Sequence, residues 1–367
     1  MIRPLLNSTL VKKSSLFLFL LLFVLPVMLF ASRPKPVASS GNSEKSGSFN
    51  AGEMIMEHVN DAHSWHIADI GHHHITVHLP VILLCEGKIT TFCSSKIENP
   101  GHSYKGFTFI VKGHEKGKFR KQGSKSAVYD FSITKNVLAL FISVAFILLI
   151  FISIARKYRK AVAAPSGLQS WIEPLILFIR DDIAKASIGE KKYEKYMPYL
   201  LTLFFFIFIN NLLGLVPFFP GGANLTGNIA VTAVMAFFTF IITSFSANKQ
   251  YWVHIVNTPG VPWWLKVPVP LMPIVELIGV FTKPFVLMVR LFANITAGHI
   301  IVLGFVSIIF IFGGMVAALG YGVSVVSISF MVFMGLLELL VAFIQAYVFT
   351  LLSALYVGMA VEDHEHH

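Results

Sequence analysis

Between Thr134 and Val361 the chain carries apolar runs too long for any soluble core. A helix needs about 20 mainly apolar residues to cross the hydrocarbon of a bilayer, and runs of that length recur here. Charged residues make up 13% of the chain and hydrophobic ones 55%, with 34 Phe; an ordinary soluble domain is about 25% charged. The fold expected is an all-α polytopic membrane protein of about five to six membrane helices, the last two long and tilted, preceded by a small β-rich exported domain. The formal net charge of +10 comes largely from lysines beside apolar spans. That pattern fits anionic lipid and membrane orientation, not nucleic acid.

Arg3, Lys12 and Lys13 precede an apolar stretch of about 16 residues followed by small residues and prolines, the pattern of a signal peptide over 1–32. An uncleaved anchor helix is the alternative. Residues 33–130 then read as an exported domain, with "HITVHLPVILL", "KITTFCSS" and "YKGFTFIVK" as short strands with Gly-containing turns. The membrane domain, 131–361, opens with a span at 134–155. "SGLQSWIEPLILFIRDDIAKASIGEKKYEKY" combines periodic apolar positions with many charges, as a helix lying along the surface does. A hairpin follows, 197–217 and 228–247, around the uncharged turn "PFFPGGANLTGN", and then helices at 270–312 and 321–361. Both exceed a perpendicular crossing, which predicts tilt or kinking.

Lys191, Lys192 and Lys195 mark one end of that hairpin and Lys249 and Lys266 the same side of its second arm, while the turn is uncharged. Positive residues favour the cytoplasmic side. The turn and residues 33–130 therefore face the periplasm, and the tail at 362–367 is cytoplasmic.

Inside the last two helices stand Glu276, Lys283, Arg290, Asn294, His299, Glu338 and Gln345. At 100° per residue, Glu276, Lys283, Arg290 and Asn294 share a sector, as do Glu338 and Gln345; His299 lies half a revolution from Arg290. A guanidinium stays protonated, and at the middle of a bilayer it costs roughly 2.5–3.5 kcal/mol even on the lenient insertion scale. Such residues usually face a bundle interior or an aqueous path and mark ion pathways. Lys283 also fits a bland reading, snorkelling to the interface.

"VRLFANITAGHI", "LELLVAFIQAYVFTLLSALYV", "NLLGLVP" and "ELIGVFTKP" resemble, in order and spacing, subunit a of the F-type ATP synthase, the stator of its membrane motor (the CF(0) sector). The resemblance covers about 134–361. It implies a non-catalytic, proton-translocating subunit of the bacterial inner membrane. Its implied partners are the rotor-ring subunit c, the peripheral-stalk subunit b, other ATP synthase subunits and lipid. It implies no cofactor and no metal. It puts the family's essential arginine on Arg290, the neighbouring asparagine on Asn294 and the last-helix glutamine on Gln345. The best-known bacterial members carry an acid where His299 stands and a histidine where Glu338 stands; here the two are exchanged, as in mitochondrial-type sequences. The exchange predicts contact between the two helices at that level. The resemblance implies that His299, Glu338 and Gln345 line an outer half-channel and Glu276 a cytoplasmic one.

A proton-coupled secondary transporter is the competing class, but it predicts internal repeats with broken helices, and the two halves show no repeat. An intramembrane enzyme would want a nucleophile, a paired-Asp or an HExxH arrangement, and the spans contain none. Seven of the 14 His lie within 58–78; they suit either a proton-collecting surface near the channel mouth or Zn²⁺ or Cu²⁺ binding, without a recognised metal signature. Cys85 and Cys93 could form a disulfide in an exported domain, although the hairpin register does not set them opposite.

Overall fold

A computed structural model describes residues 52, 55 and 61–362, apart from 71–72, 98–102, 111–117, 124–125, 127, 161–166, 217–220 and 257–270. The signal-peptide segment and the last five residues of the tail lie outside the described residues.

Among the described residues, the N-terminal part holds eight short strands. β1 (Ser64–Ile70) pairs antiparallel with β2 (His73–His78). A second sheet has the order β4-β3-β8, from β3 (Pro80–Cys85), β4 (Lys88–Cys93) and β8 (Tyr129–Asp130). The third joins β5 (Ser103–Tyr104), β6 (Phe107–Phe109) and β7 (Phe119–Lys121). Residues Val81, Leu83 and Cys85 alternate inward along β3 and meet Phe92, Ile97, Phe107 and Phe119, the period-2 burial of a half-covered sheet. Two turns have positive φ at both central residues, Glu86–Gly87 and Lys105–Gly106, the conformation that matches the twist of a two-residue hairpin. The second turn folds "YKGFTFIVK" back on itself as the β5–β6 hairpin. "HITVHLPVILL" likewise divides at Leu79 into β2 and β3.

Among the described residues, five helices are long and apolar enough to span a membrane. α1 (Lys135–Lys160) is followed by α2 (Leu168–Phe178), which continues as a π-helical stretch, Ile179–Lys185, and a last turn, Ala186–Ile188. This run is amphipathic as expected. Ile179, Ile183 and Ala184 are fully buried in the core shared with the helix at 193–215, while Asp181 and Asp182 are exposed. Arg180 and Lys185 each lie 2.8 Å from Asp181 and hold its carboxyl well below the usual range.

α3 (Tyr193–Leu215) and α4 (Ile229–Ser246) form the hairpin, and α5 (Lys249–Val256) follows. The long helices are α6 (Leu271–Met315) and α7 (Ala317–Val361), 45 residues each. At 1.5 Å per residue each is about 67 Å long, twice the hydrocarbon thickness.

The expected loop at 313–320 is almost absent. Only Val316 separates α6 from α7, with Val316 N donating to the Phe312 carbonyl and Gly320 N to that of Val316. Residues 300–337 form a compact unit of their own. A Cβ on Gly320 would stand 2.7 Å from the Gly313 Cα, so only glycine permits this approach. Phe305 stacks on Phe330 with centroids 5.4 Å apart.

The other end of α7 is clamped. The Val361 carbonyl accepts from Lys192 Nζ (2.7 Å) and Asn248 Nδ2 (3.1 Å), and the Ala360 carbonyl from Asn248 N (2.8 Å). These donors satisfy carbonyls that a helix end leaves unpaired, with a cation where the dipole favours one.

The cysteines are both free. In the β3–β4 register Cys85 faces Lys88 and Cys93 faces Pro80, which separates them by about 17 Å at 3.3 Å per strand residue; a disulfide tolerates at most about 7 Å between Cα atoms. Cys93 is exposed and its thiol is lowered, chiefly by hydrogen bonding to Ser95, whereas Cys85 is buried. A maleimide added to the native protein without reductant should therefore label Cys93 rapidly and Cys85 only after denaturation, as read by peptide mass. Protection of both thiols until reduction would contradict this.

Candidate functional site

α6 carries Arg290 in a setting the sequence dictates. Leu287 and Leu291, on either side of it, are fully buried in the core that also holds residues of α3 and α7, and that burial sets the rotation of the helix. Arg290 is half-buried, and its Nη2 is buried with no hydrogen-bond partner among the described residues. One turn on, along the same stripe, Asn294 is exposed. The guanidinium is thus committed to the protein but not neutralised by it.

His299 and Glu338 meet as the exchange predicted. Nδ1 of His299 and Oε1 of Glu338 lie 3.0 Å apart and hydrogen-bond to each other; their side chains keep 19% and 12% of their exposure. Gly298 makes the approach possible, because a Cβ there would fall 2.9 Å from Glu338 Cγ and closer still to Oε1. The other edge of the imidazole, Nε2, borders Gly214 near the end of α3. His299 is nine residues beyond Arg290, about 14 Å along the helix axis.

Gln345, two turns past Glu338 on α7, is buried. Between them Asn211 of α3 joins three elements. Its Nδ2 donates to the Ala342 carbonyl of α7 (3.3 Å), and its Oδ1 accepts from Thr226 Oγ1 in the hairpin turn (2.6 Å). Thr296 Oγ1 on α6 donates to the Gly227 carbonyl of the same turn. A polar seam therefore runs from the turn to α6 and α7.

Glu276 does not reach that seam. It lies near Tyr251 of α5, whose phenol is pushed up by burial and by the Glu276 carboxylate. A narrow cleft opens here, lined in part by Thr243, Tyr251, Lys283 and Tyr356. Lys283 Nζ sits 5.6 Å from the centre of the Tyr356 ring, held by that aromatic face. Of the residues that the resemblance picked out, His299 and Glu338 are in contact, Arg290 and Asn294 share a stripe of α6, Gln345 lies two turns beyond Glu338, and Glu276 stands near Tyr251. Sequence reasoning missed Asn211, Thr226, Gly298 and Tyr356. Asn210–Asn211 in an apolar span was the available signal, since a buried amide must find partners; nothing local marked Gly298.

In the N-terminal part His63 Nε2 and Asp130 Oδ2 are 2.9 Å apart. Among the described residues no group of three or more His, Cys, Asp or Glu could hold a metal; the side chains of His66 and His72–His74 lie outside the description.

A family model described as ATP synthase A chain matches residues 137–358. A second, a domain of unknown function (DUF8433), matches 54–137. ATP synthase subunit a of Chloroherpeton thalassium is 46% identical over 246 residues, covering 65% of this chain and 69% of that one. ATP synthase subunit a 2 of Prosthecochloris aestuarii is 37% identical over 367 residues, 96% of this chain and 95% of its own. ATP synthase subunit a of an Anaeromyxobacter species is 40% identical over 248 residues, 65% and 56% of the two chains. The transporter reading is left without support. The chain belongs to the ATP synthase subunit a family and is a multi-pass, proton-translocating stator subunit of that enzyme.

Proposed function

We propose that Arg290 is the fixed charge that separates two half-channels, and the observation that carries this is its buried, unpartnered Nη2. A protonated carboxylic acid tolerates lipid far better than an ionised one. A rotor carboxylate facing Arg290 is stabilised in its ionised form, gives up its proton to one aqueous path and is reloaded from the other before re-entering lipid. Because guanidinium cannot be discharged, the same group repels a proton that would pass straight between the paths. Asn294, exposed on the same stripe, lines the approach to Arg290.

His299, Glu338 and Gln345 form the outer half-channel, and Glu276 serves the cytoplasmic one. A carboxylate–imidazole pair 3.0 Å apart can relay a proton with water at its two ends. The partners are a rotor-ring subunit c and a peripheral-stalk subunit b, and this subunit is itself non-catalytic. It lies in a bacterial inner membrane with residues 33–130 periplasmic, 131–361 in the membrane domain and 362–367 cytoplasmic, after a signal peptide at 1–32. The uncharged hairpin turn and the lysines at the opposite ends of its arms support that orientation.

Arg290→Ala should abolish ATP-driven proton pumping in membrane vesicles containing a normal amount of assembled enzyme; coupled pumping by the variant would end the assignment. Glu338→Gln keeps shape but removes the titrating group. It should lower proton flux by roughly a hundredfold, the low end of what a positioned proton-transfer group contributes, and undiminished flux would make Glu338 structural. Gly298→Ala should displace the Glu338 carboxylate, an overpacking cost of about 1–3 kcal/mol, read as reduced flux at unchanged subunit content.

A further inference from the structure

The exported region meets the membrane part at fixed points, and one of them leads to the His299–Glu338 pair. Asp61 Oδ1 accepts from Asn136 N (3.1 Å) and the Ala62 carbonyl from Lys135 N (2.8 Å). The first turn of α1 is thus capped by a segment far earlier in the chain. Beside this cap Trp65 of β1, only 4% exposed, packs against Ala139 of α1 and Ala223 of the α3–α4 turn.

Ala223 works in two directions. Its side chain belongs to the cluster around Trp65. Its carbonyl and the Nε2 edge of His299 border the same bare α-carbon, 3.7 and 3.8 Å from where a Cβ on Gly214 would stand. The opposite nitrogen of that imidazole holds Glu338. An indole on one side and the end of α3 on the other therefore sandwich the turn that walls His299.

We propose that Trp65 is a positioning residue for the outer proton path: by seating the exported region on Ala223 it fixes the wall against which the His299 imidazole is oriented. This rests on the reading of His299 and Glu338 as the outer half-channel. It gives the exported region a part in proton transfer beyond anchoring itself.

The test compares ATP-driven proton pumping by Trp65→Ala, Trp65→Phe and Glu338→Gln enzymes in vesicles at equal content of assembled complex. Trp65→Ala should slow pumping about tenfold, an order below the hundredfold that a 1 Å misplacement can cost, and Trp65→Phe should restore most of it. A thiol at Gly214→Cys should also react faster with an impermeant reagent from outside when Trp65→Ala is present. If Glu338→Gln is blocked while Trp65→Ala pumps at the normal rate, the positioning role is overturned and the reading of the pair stands. Full pumping by Glu338→Gln would sink the reading of the pair and the positioning role with it. Should Trp65→Ala not assemble, Val77→Ala, a smaller loss in the same cluster, decides by the same criterion: slowed pumping supports the role and normal pumping overturns it.

Discussion

A cation that cannot be neutralised by losing its proton, held in a low-dielectric layer, is the constraint on which the rest depends. Burying a charge without a partner is costly, and proteins usually answer with an ion pair. Here the carboxylate of Glu338 is engaged with His299 instead, half a revolution and about 14 Å along the axis from Arg290. The two chemistries are kept apart. One group is permanently charged; the other pair can carry a proton. Had Glu338 paired with Arg290, each would have cancelled the other, and no field would remain for an acid arriving from another subunit.

Keeping them apart requires that α6 and α7 hold their register at the level of these groups. Ridge packing alone allows a helix to slide by small steps, so polar pins matter. Lys192 and Asn248 fix the last carbonyls of α7; Asn211 fixes Ala342 between Glu338 and Gln345; Gly298 admits the Glu338 carboxylate against α6 at one height. On α6 the buried Leu287 and Leu291 fix the rotation that leaves Asn294 exposed. Height and rotation are thus set by different residues, and the intramembrane polar groups inherit both.

Much of this was legible in the sequence because hydropathy and helical period are local. The five spans, the amphipathic α2 run and the contact of His299 with Glu338 needed only residue spacing and the family resemblance. What was illegible depends on partners distant in the chain. Gly313–Gly314 reads as a helix stop, yet the two arms continue to Met315 and from Ala317 because Gly320 can lie against Gly313. Asp61 reads as an ordinary acid before a strand, and its role as a cap appears only when Asn136, 75 residues later, is brought to it. The sequence marked short strands and Gly-containing turns but not which strands pair, so β8 joining β3 could not be foreseen.

The distribution of satisfied polar groups adds a last step. Most hydroxyls and amides in the spans turn back on their own helix: Asn210 donates to the Phe206 carbonyl, Ser307 to Leu303, Thr350 to Ala346 and Ser353 to Phe349. This is the inexpensive way to carry a polar side chain through hydrocarbon, where an unsatisfied group costs several kcal/mol. The exceptions are therefore informative. Among the described residues, seven buried side-chain atoms have no hydrogen-bond partner, on Thr108, Thr134, Asn136, Glu173, Asn224, Thr243 and Arg290. Thr243 lines the cleft with Lys283 and Tyr356 near Glu276, and Asn224 follows the turn residue that abuts Gly214 beside His299. Three of the seven thus lie beside the proposed half-channels or on the residue proposed to separate them. At those three positions water, or in the proposed mechanism a rotor carboxylate, would complete the bonding.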